Sequence, residues 1–201
     1  MLHAQGYRPL LDPNSAWYES FHLVEPPWDP GYNPTEECYK YFLQGDTSLN
    51  DTTYLILKRD GYFWPSVDLY DDAFVAFVRE DTMDRKVYMR DAVEEPELLM
   101  YDFSVGVGPY PSTIPVPGSG LTVTAIDTMQ LINGDHRVII LNDYLSIIEG
   151  IGAVTGFFGT QTSGTVGWGG MVCHTLNGVS DFEYSNDQTC PCGFSPSIDR
   201  A

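Results

Sequence analysis

The chain has 201 residues, with 28 acidic against 10 basic side chains and a net charge of −18. That charge repels phosphate backbones and anionic membrane surfaces, which excludes nucleic acid as an expected partner. A hydrophobic fraction of 43% and an aromatic fraction of 13% exclude wholesale disorder and permit a sizeable core without a cofactor.

The first four residues, Met1-Leu2-His3-Ala4, read as the tail of an export leader cleaved after Ala4. No window approaches the ~18 apolar residues of a membrane span. Residues 5–36 are punctuated by Asp12-Pro13-Asn14, Pro26-Pro27, Asp29-Pro30-Gly31 and Asn33-Pro34, so this stretch is expected to wrap over a sheet as coil or short strands. Strand signals then recur at 38–43, 52–57, 73–78, 86–89 and 98–103, each rich in aromatic or aliphatic residues and several of them bounded by turn formers. Residues 106–120 carry Pro109, Pro111, Pro115 and Pro117 and read as a long loop inside one domain, with an interdomain linker as the alternative. Beyond it, Asn133-Gly134 and Asn177-Gly178 each separate two apolar runs, the strongest short-range hairpin signal. No helical periodicity lasts beyond two turns. The expectation is one all-β, antiparallel domain over residues 1–201, a roll, barrel or sandwich.

Four cysteines, Cys38, Cys173, Cys190 and Cys192, in an acidic chain rich in Gly and Pro suit an oxidising compartment. Zinc would need paired C-x₂₋₄-C ligands, and only Cys190-Pro191-Cys192 is present, so no metal is expected. A bond inside that tripeptide would be badly strained, so each of its cysteines is expected to pair with Cys173 or Cys38. The Asn177-Gly178 hairpin favours Cys173 with Cys190.

Four phrases resemble a family of uncharacterised secreted bacterial proteins, whose members often carry a C-terminal sorting domain of the type IX secretion route. They are Arg79-Glu80-Asp81-Thr82 with Lys86-Val87-Tyr88, the stretch at 98–108, Val123-Thr124-Ala125-Ile126-Asp127 with Ile132-Asn133-Gly134, and Ile148-Glu149-Gly150-Ile151-Gly152 with Gly156. The order holds from about residue 17 to residue 192. Pro109 departs from the family's usual Asp, and Ile147 from its common Trp. The resemblance implies secretion and a β fold and carries no activity.

Glu149 stands out because apolar residues and glycines flank its carboxylate. It is expected to accept backbone N–H bonds in the Gly150-Ile151-Gly152 turn and to keep a low pKa. The alternative is a carbohydrate-active hydrolase in which Glu149 acts with a second carboxylate such as Asp143 or Asp102. The groups Asp68, Asp71, Asp72 and Asp181, Glu183, Asp187 do not fit the calcium-loop pattern. No nucleophile elbow or phosphate loop occurs. Trp28, Trp64 and Trp168 lie in or beside predicted loops and are the candidate binding residues, together with the loop-side Trp17. The reading is a secreted or cell-surface binding or structural module, with a glycan or a cell-surface protein as partner.

Overall fold

Tight turns set the strand ladder. Asn50 and Asp51 take φ of 50° and 62°, and Asn177 and Gly178 take 54° and 74°. Each pair is a two-residue hairpin with left-handed geometry, whose twist matches that of the strands it joins. The computed structural model describes residues 6–23, 35–64, 70–111, 120–143, 145–157 and 167–183. Within them the chain runs β1 (Ser15–Leu23), β2 (Thr35–Leu49), β3 (Thr52–Trp64), β4 (Tyr70–Asp81), β5 (Lys86–Arg90), β6 (Leu98–Asp102), β7 (Gly108–Pro109), β8 (Thr122–Leu131), β9 (Gly134–Leu141), β10 (Leu145–Ile148), β11 (Gly152–Ala153), β12 (Gly167–Leu176) and β13 (Val179–Glu183). Helix is absent among the described residues, so none is long and apolar enough to cross a membrane.

The strands form two antiparallel sheets. One has the order β13-β12-β1-β2-β3-β4-β5-β6, the other β11-β10-β9-β8-β7. The all-β expectation holds. The segment expected as coil or short strands supplies a full interior strand, β1, paired with β2 and β12. Its core face alternates Trp17 with Glu19, and that buried carboxylate disguises the apolar period. The Gly-rich start of β12 pairs with β1, while β13 pairs with the other end of that strand, from Cys173 to Leu176.

The register assigns the faces. Trp17 stands opposite Tyr41, and Leu43 opposite Leu57, then Ala76. Together with Val78, Val87 and Tyr101 they turn inward onto Val123, Ile139, Leu141 and Ile147 of the second sheet. This one buried cluster runs from Leu10 to Phe182 and draws on both sides of the 106–120 stretch. Each fully buried Leu, Ile or Phe side chain contributes about 1.5–3 kcal/mol by leaving water. The opposite face of β1 and its neighbours carries a second, smaller cluster of Ala16, Tyr18, Cys38, Val172 and Cys173.

The Gly150–Phe157 stretch is stitched to the eight-stranded sheet from within. Trp17 Nε1 donates to the Ile151 carbonyl at 2.7 Å, and Tyr101 Oη accepts from Ala153 N–H at 3.2 Å while donating to the Phe157 carbonyl. Glu19 accepts from the Phe157 N–H. Trp17 is therefore a core residue, fully buried against Phe157 at 4.5 Å between ring centroids, and not a loop-side binding residue.

Candidate functional site

Two carboxylates hold the N-terminal segment in place. Glu80 lies on the inward face of β4, two residues from buried Val78, and accepts from Leu10 N–H at 2.8 Å and Leu11 N–H at 2.9 Å. Tyr7 Oη also donates to it. Burial, then the Glu80 charge, pushes the Tyr7 phenol far above its ordinary range, so the hydroxyl keeps its proton and stays a donor. Glu149 follows β10, is 4% exposed, and accepts from the Arg8 N–H at 2.9 Å.

The expected glycine turn is present, with Gly150 at φ 81° and Gly152 at φ 104°. Its N–H groups do not serve the carboxylate: Ile151 N–H bonds the Ile148 carbonyl at 3.0 Å, and the donor to Glu149 comes from Arg8. The glycine at 150 serves close approach instead, because a Cβ there would sit 3.2 Å from Arg8 Cβ. Nor is the pKa low. Burial raises it above the ordinary carboxylate value against the Arg8 bond and the Arg85, Arg137 and Arg8 charges.

From Glu149 a polar chain runs through the interior. The Glu149 carbonyl accepts from His136 Nδ1 at 2.7 Å, His136 Nε2 meets Asn133 Oδ1 at 2.5 Å, and Asn133 Nδ2 donates to Asp181 Oδ2 at 3.0 Å. Asp181 Oδ1 then meets His174 Nδ1 at 2.6 Å. Asp181 reaches inward because it is the extra residue of a bulge: Thr175 pairs with Ser180 and His174 with Phe182. Arg8 closes the circuit by donating to the Asn133 carbonyl at 2.7 Å. Burial pushes the His136 imidazole below its ordinary pKa.

Asp181 paired to His174 is half of a nucleophile-activating constellation, and His174 Nε2 is buried without a hydrogen-bond partner. His174 is only 1% exposed, with its ring 5.4 Å from that of Trp17. Among the described residues that nitrogen is enclosed.

Beside this chain, residues of β8, β10 and β13 line a groove of about 550 Å³. Met129, Ile148 and Val154 supply apolar wall, and Ser146, Asp181 and Glu183 supply acceptors. Sequence reasoning missed the groove, because its walls come from segments about 50 residues apart, joined only through the tertiary fold.

Among the predicted binding residues, Trp28 lies outside the described residues. Trp64 ends β3 and Trp168 is the second residue of β12, so both stand at strand ends. The backbone register runs Trp168–His22–Glu36–Trp64 across four neighbouring strands, at one level of the sheet. Cys38 and Cys173 are disulfide-bonded, whereas Cys190 and Cys192 lie outside the described residues.

Of the proposed second carboxylates, Asp102 is taken up by the Ser104 N–H at 2.9 Å and hydroxyl at 2.5 Å. Asp143 is exposed on the β9–β10 turn at φ 66°. Asp71 and Asp72 come together with Asp60, their carboxylates within 4.8 Å of one another; Asp68 and Asp187 lie outside the described residues. The Asp60 carboxylate caps the Asp72 N–H at 2.9 Å and Lys58 stands 3.8 Å from Asp72, which accounts for that cluster as a solvated turn.

No family model, curated protein or solved structure matches this chain.

Proposed function

We propose that this chain is a non-catalytic binding module of an oxidising, extracytoplasmic compartment, with its ligand seated in the groove between β8, β10 and β13. The carrying observation is a contrast. The acid–base groups are sealed and committed to backbone or to one another, with Glu149 4% and His174 1% exposed, while the groove beside them is open. Apolar walls with a few convergent acceptors are the usual makeup of a small-ligand seat. The acceptors Glu183 and Ser146 suit the hydroxyl or amide donors of a glycan or of a cell-surface protein segment.

Export is supported by the disulfide-bonded Cys38 and Cys173, which an oxidising compartment sustains, and by the four phrases that resemble a secreted family. Against a hydrolase stands the occupation of the carboxylates of Glu80 and Glu149 by main-chain donors of residues 8–11. A second seat for the same role is the backbone register row that Trp64 and Trp168 share, and it is separable by mutation.

Glycan and peptide arrays probed with the parent, with Met129→Arg/Glu183→Arg, and with Trp64→Ala/Trp168→Ala decide between the seats. Loss of binding only in the first pair supports the groove, and loss only in the second supports the tryptophan row. Binding that survives both pairs would contradict both seats.

A further inference from the structure

The groove beside β13 runs along a sheet edge. Among the described residues β13 pairs with β12 alone and ends the eight-stranded sheet. Its consecutive residues Ser180 to Glu183 all line the groove, although successive side chains of a strand point to opposite faces. A groove that meets every one of them follows the strand's backbone. The register shows which main-chain groups face it. Leu176 and Val179 close a two-residue turn and exchange both bonds, so in the next pair Ser180 turns its N–H and C=O away from β12. His174 is opposed by the bulge of Asp181 and Phe182, and Cys173 by Glu183, so Glu183 is the next residue turned outward.

The floor comes from the second sheet. Leu131, Met129, Ile148 and Ser146 stand opposite Gly134, His136, Val138 and Ile140, which alternate along β9. All four therefore project from one face, and all four line the groove.

We propose that the groove takes an extended segment of another protein, which pairs with the outer edge of β13 as an added strand. The proposal rests on the groove as the ligand seat and names the class of ligand. A segment of five residues matches the length of β13. Its main chain bonds the outward groups of Ser180 and Glu183, and alternate side chains lie on the apolar floor. The intervening side chains are Lys or Arg. Glu183 is exposed at the rim, and no Lys or Arg lines the groove. Asp181 is already committed to Asn133 and His174. A sugar finds less here: the aromatic among the lining residues, Phe182, is 7% exposed and offers no open ring face. A second copy of this chain is disfavoured by the net charge of −18 that each copy carries.

The probes are hexapeptides that alternate Lys or Arg with Val, Ile or Leu. Each is also made with every second backbone nitrogen methylated, in one register or the other. The parent should bind the unmethylated peptides; methylation in one register should weaken binding about tenfold or more, and in the other leave it unchanged. Glu183→Lys, at an exposed site, should lose the basic peptides and gain their acidic counterparts. Equal effects of the two registers, or no binding by any hexapeptide, would overturn strand addition. Glycan binding that Met129→Arg/Glu183→Arg abolishes, with no peptide bound, would overturn the peptide segment and leave the groove as the seat. Peptide binding that this pair leaves intact would overturn the groove reading itself. A dimer of the parent that Glu183→Lys dissociates, with no peptide bound, would put a second copy on the edge and overturn the segment.

Discussion

The Arg8 N–H and the Glu149 carboxylate, 141 residues apart in sequence, meet in a hydrogen bond of 2.9 Å. That bond and the Glu80 bonds to Leu10 and Leu11 make the segment before β1 part of the core, with Leu10 fully buried. Replacing Glu149 by Ala strands a buried N–H and should cost about 1–3 kcal/mol. Glu149→Gln keeps an acceptor of the same shape and, because burial already disfavours the charge, should stay within about 1 kcal/mol of the parent. Glu80→Ala removes the acceptor of two N–H groups and of the Tyr7 hydroxyl, and should cost more than Glu149→Ala. Urea unfolding of the three variants at pH 7 checks the ranking.

Stability should fall as pH rises toward neutrality. Burial lifts the Glu19 carboxyl from 4.5 to about 7, so the folded state favours its protonated form. That contribution is fully present below the unfolded value and is lost as pH rises through the folded one. At about 1.4 kcal/mol per pH unit the loss is roughly 3 kcal/mol. Glu149, shifted in the same direction, adds to it, while the lowered His136 value acts oppositely as pH falls below its unfolded value. Glu19→Gln should flatten the curve between pH 4.5 and about 7 and raise the midpoint on its alkaline side. An unchanged slope in Glu19→Gln would refute the assignment.

Asn133 joins the two histidines through Asp181. Asn133→Ala leaves Asp181 Oδ2 and His136 Nε2 with neither of the partners they have here. Losing both should destabilise by roughly 2–4 kcal/mol. Asn133→Asp would instead set a second carboxylate against Asp181 and should be worse at pH 8 than at pH 5. Thermal melts at the two pH values measure the difference.

Local turn chemistry was legible in the sequence where nothing distant competed with it. Asn177-Gly178 forms the hairpin turn as expected, and Asp12 caps the turn into β1 through the Asn14 N–H at 2.8 Å. The other expected hairpin forms one residue early: Leu131 pairs with Gly134, so Ile132 and Asn133 make the turn and Gly134 opens β9 at φ 114°. Arg8, His136 and Asp181 all bind Asn133, and no local pattern encodes those partners. β1 was hidden because Glu19 occupies a core position behind Trp17. Glu149 was legible as unusual from its apolar and glycine flanks, but its partner Arg8 was not, and so the expected low pKa is replaced by a raised one.

The reading of a binding module with a structural Glu149 is tested most directly by one comparison. Parent and Glu149→Gln are assayed side by side for binding on a glycan array and for turnover across glycoside, ester and peptide substrates, with melting points recorded on the same samples. The account predicts no turnover above the blank for either protein, the same bound ligand, and midpoints within about 3 °C of each other. Turnover by the parent that disappears in an equally stable Glu149→Gln would contradict it and make Glu149 a catalytic residue.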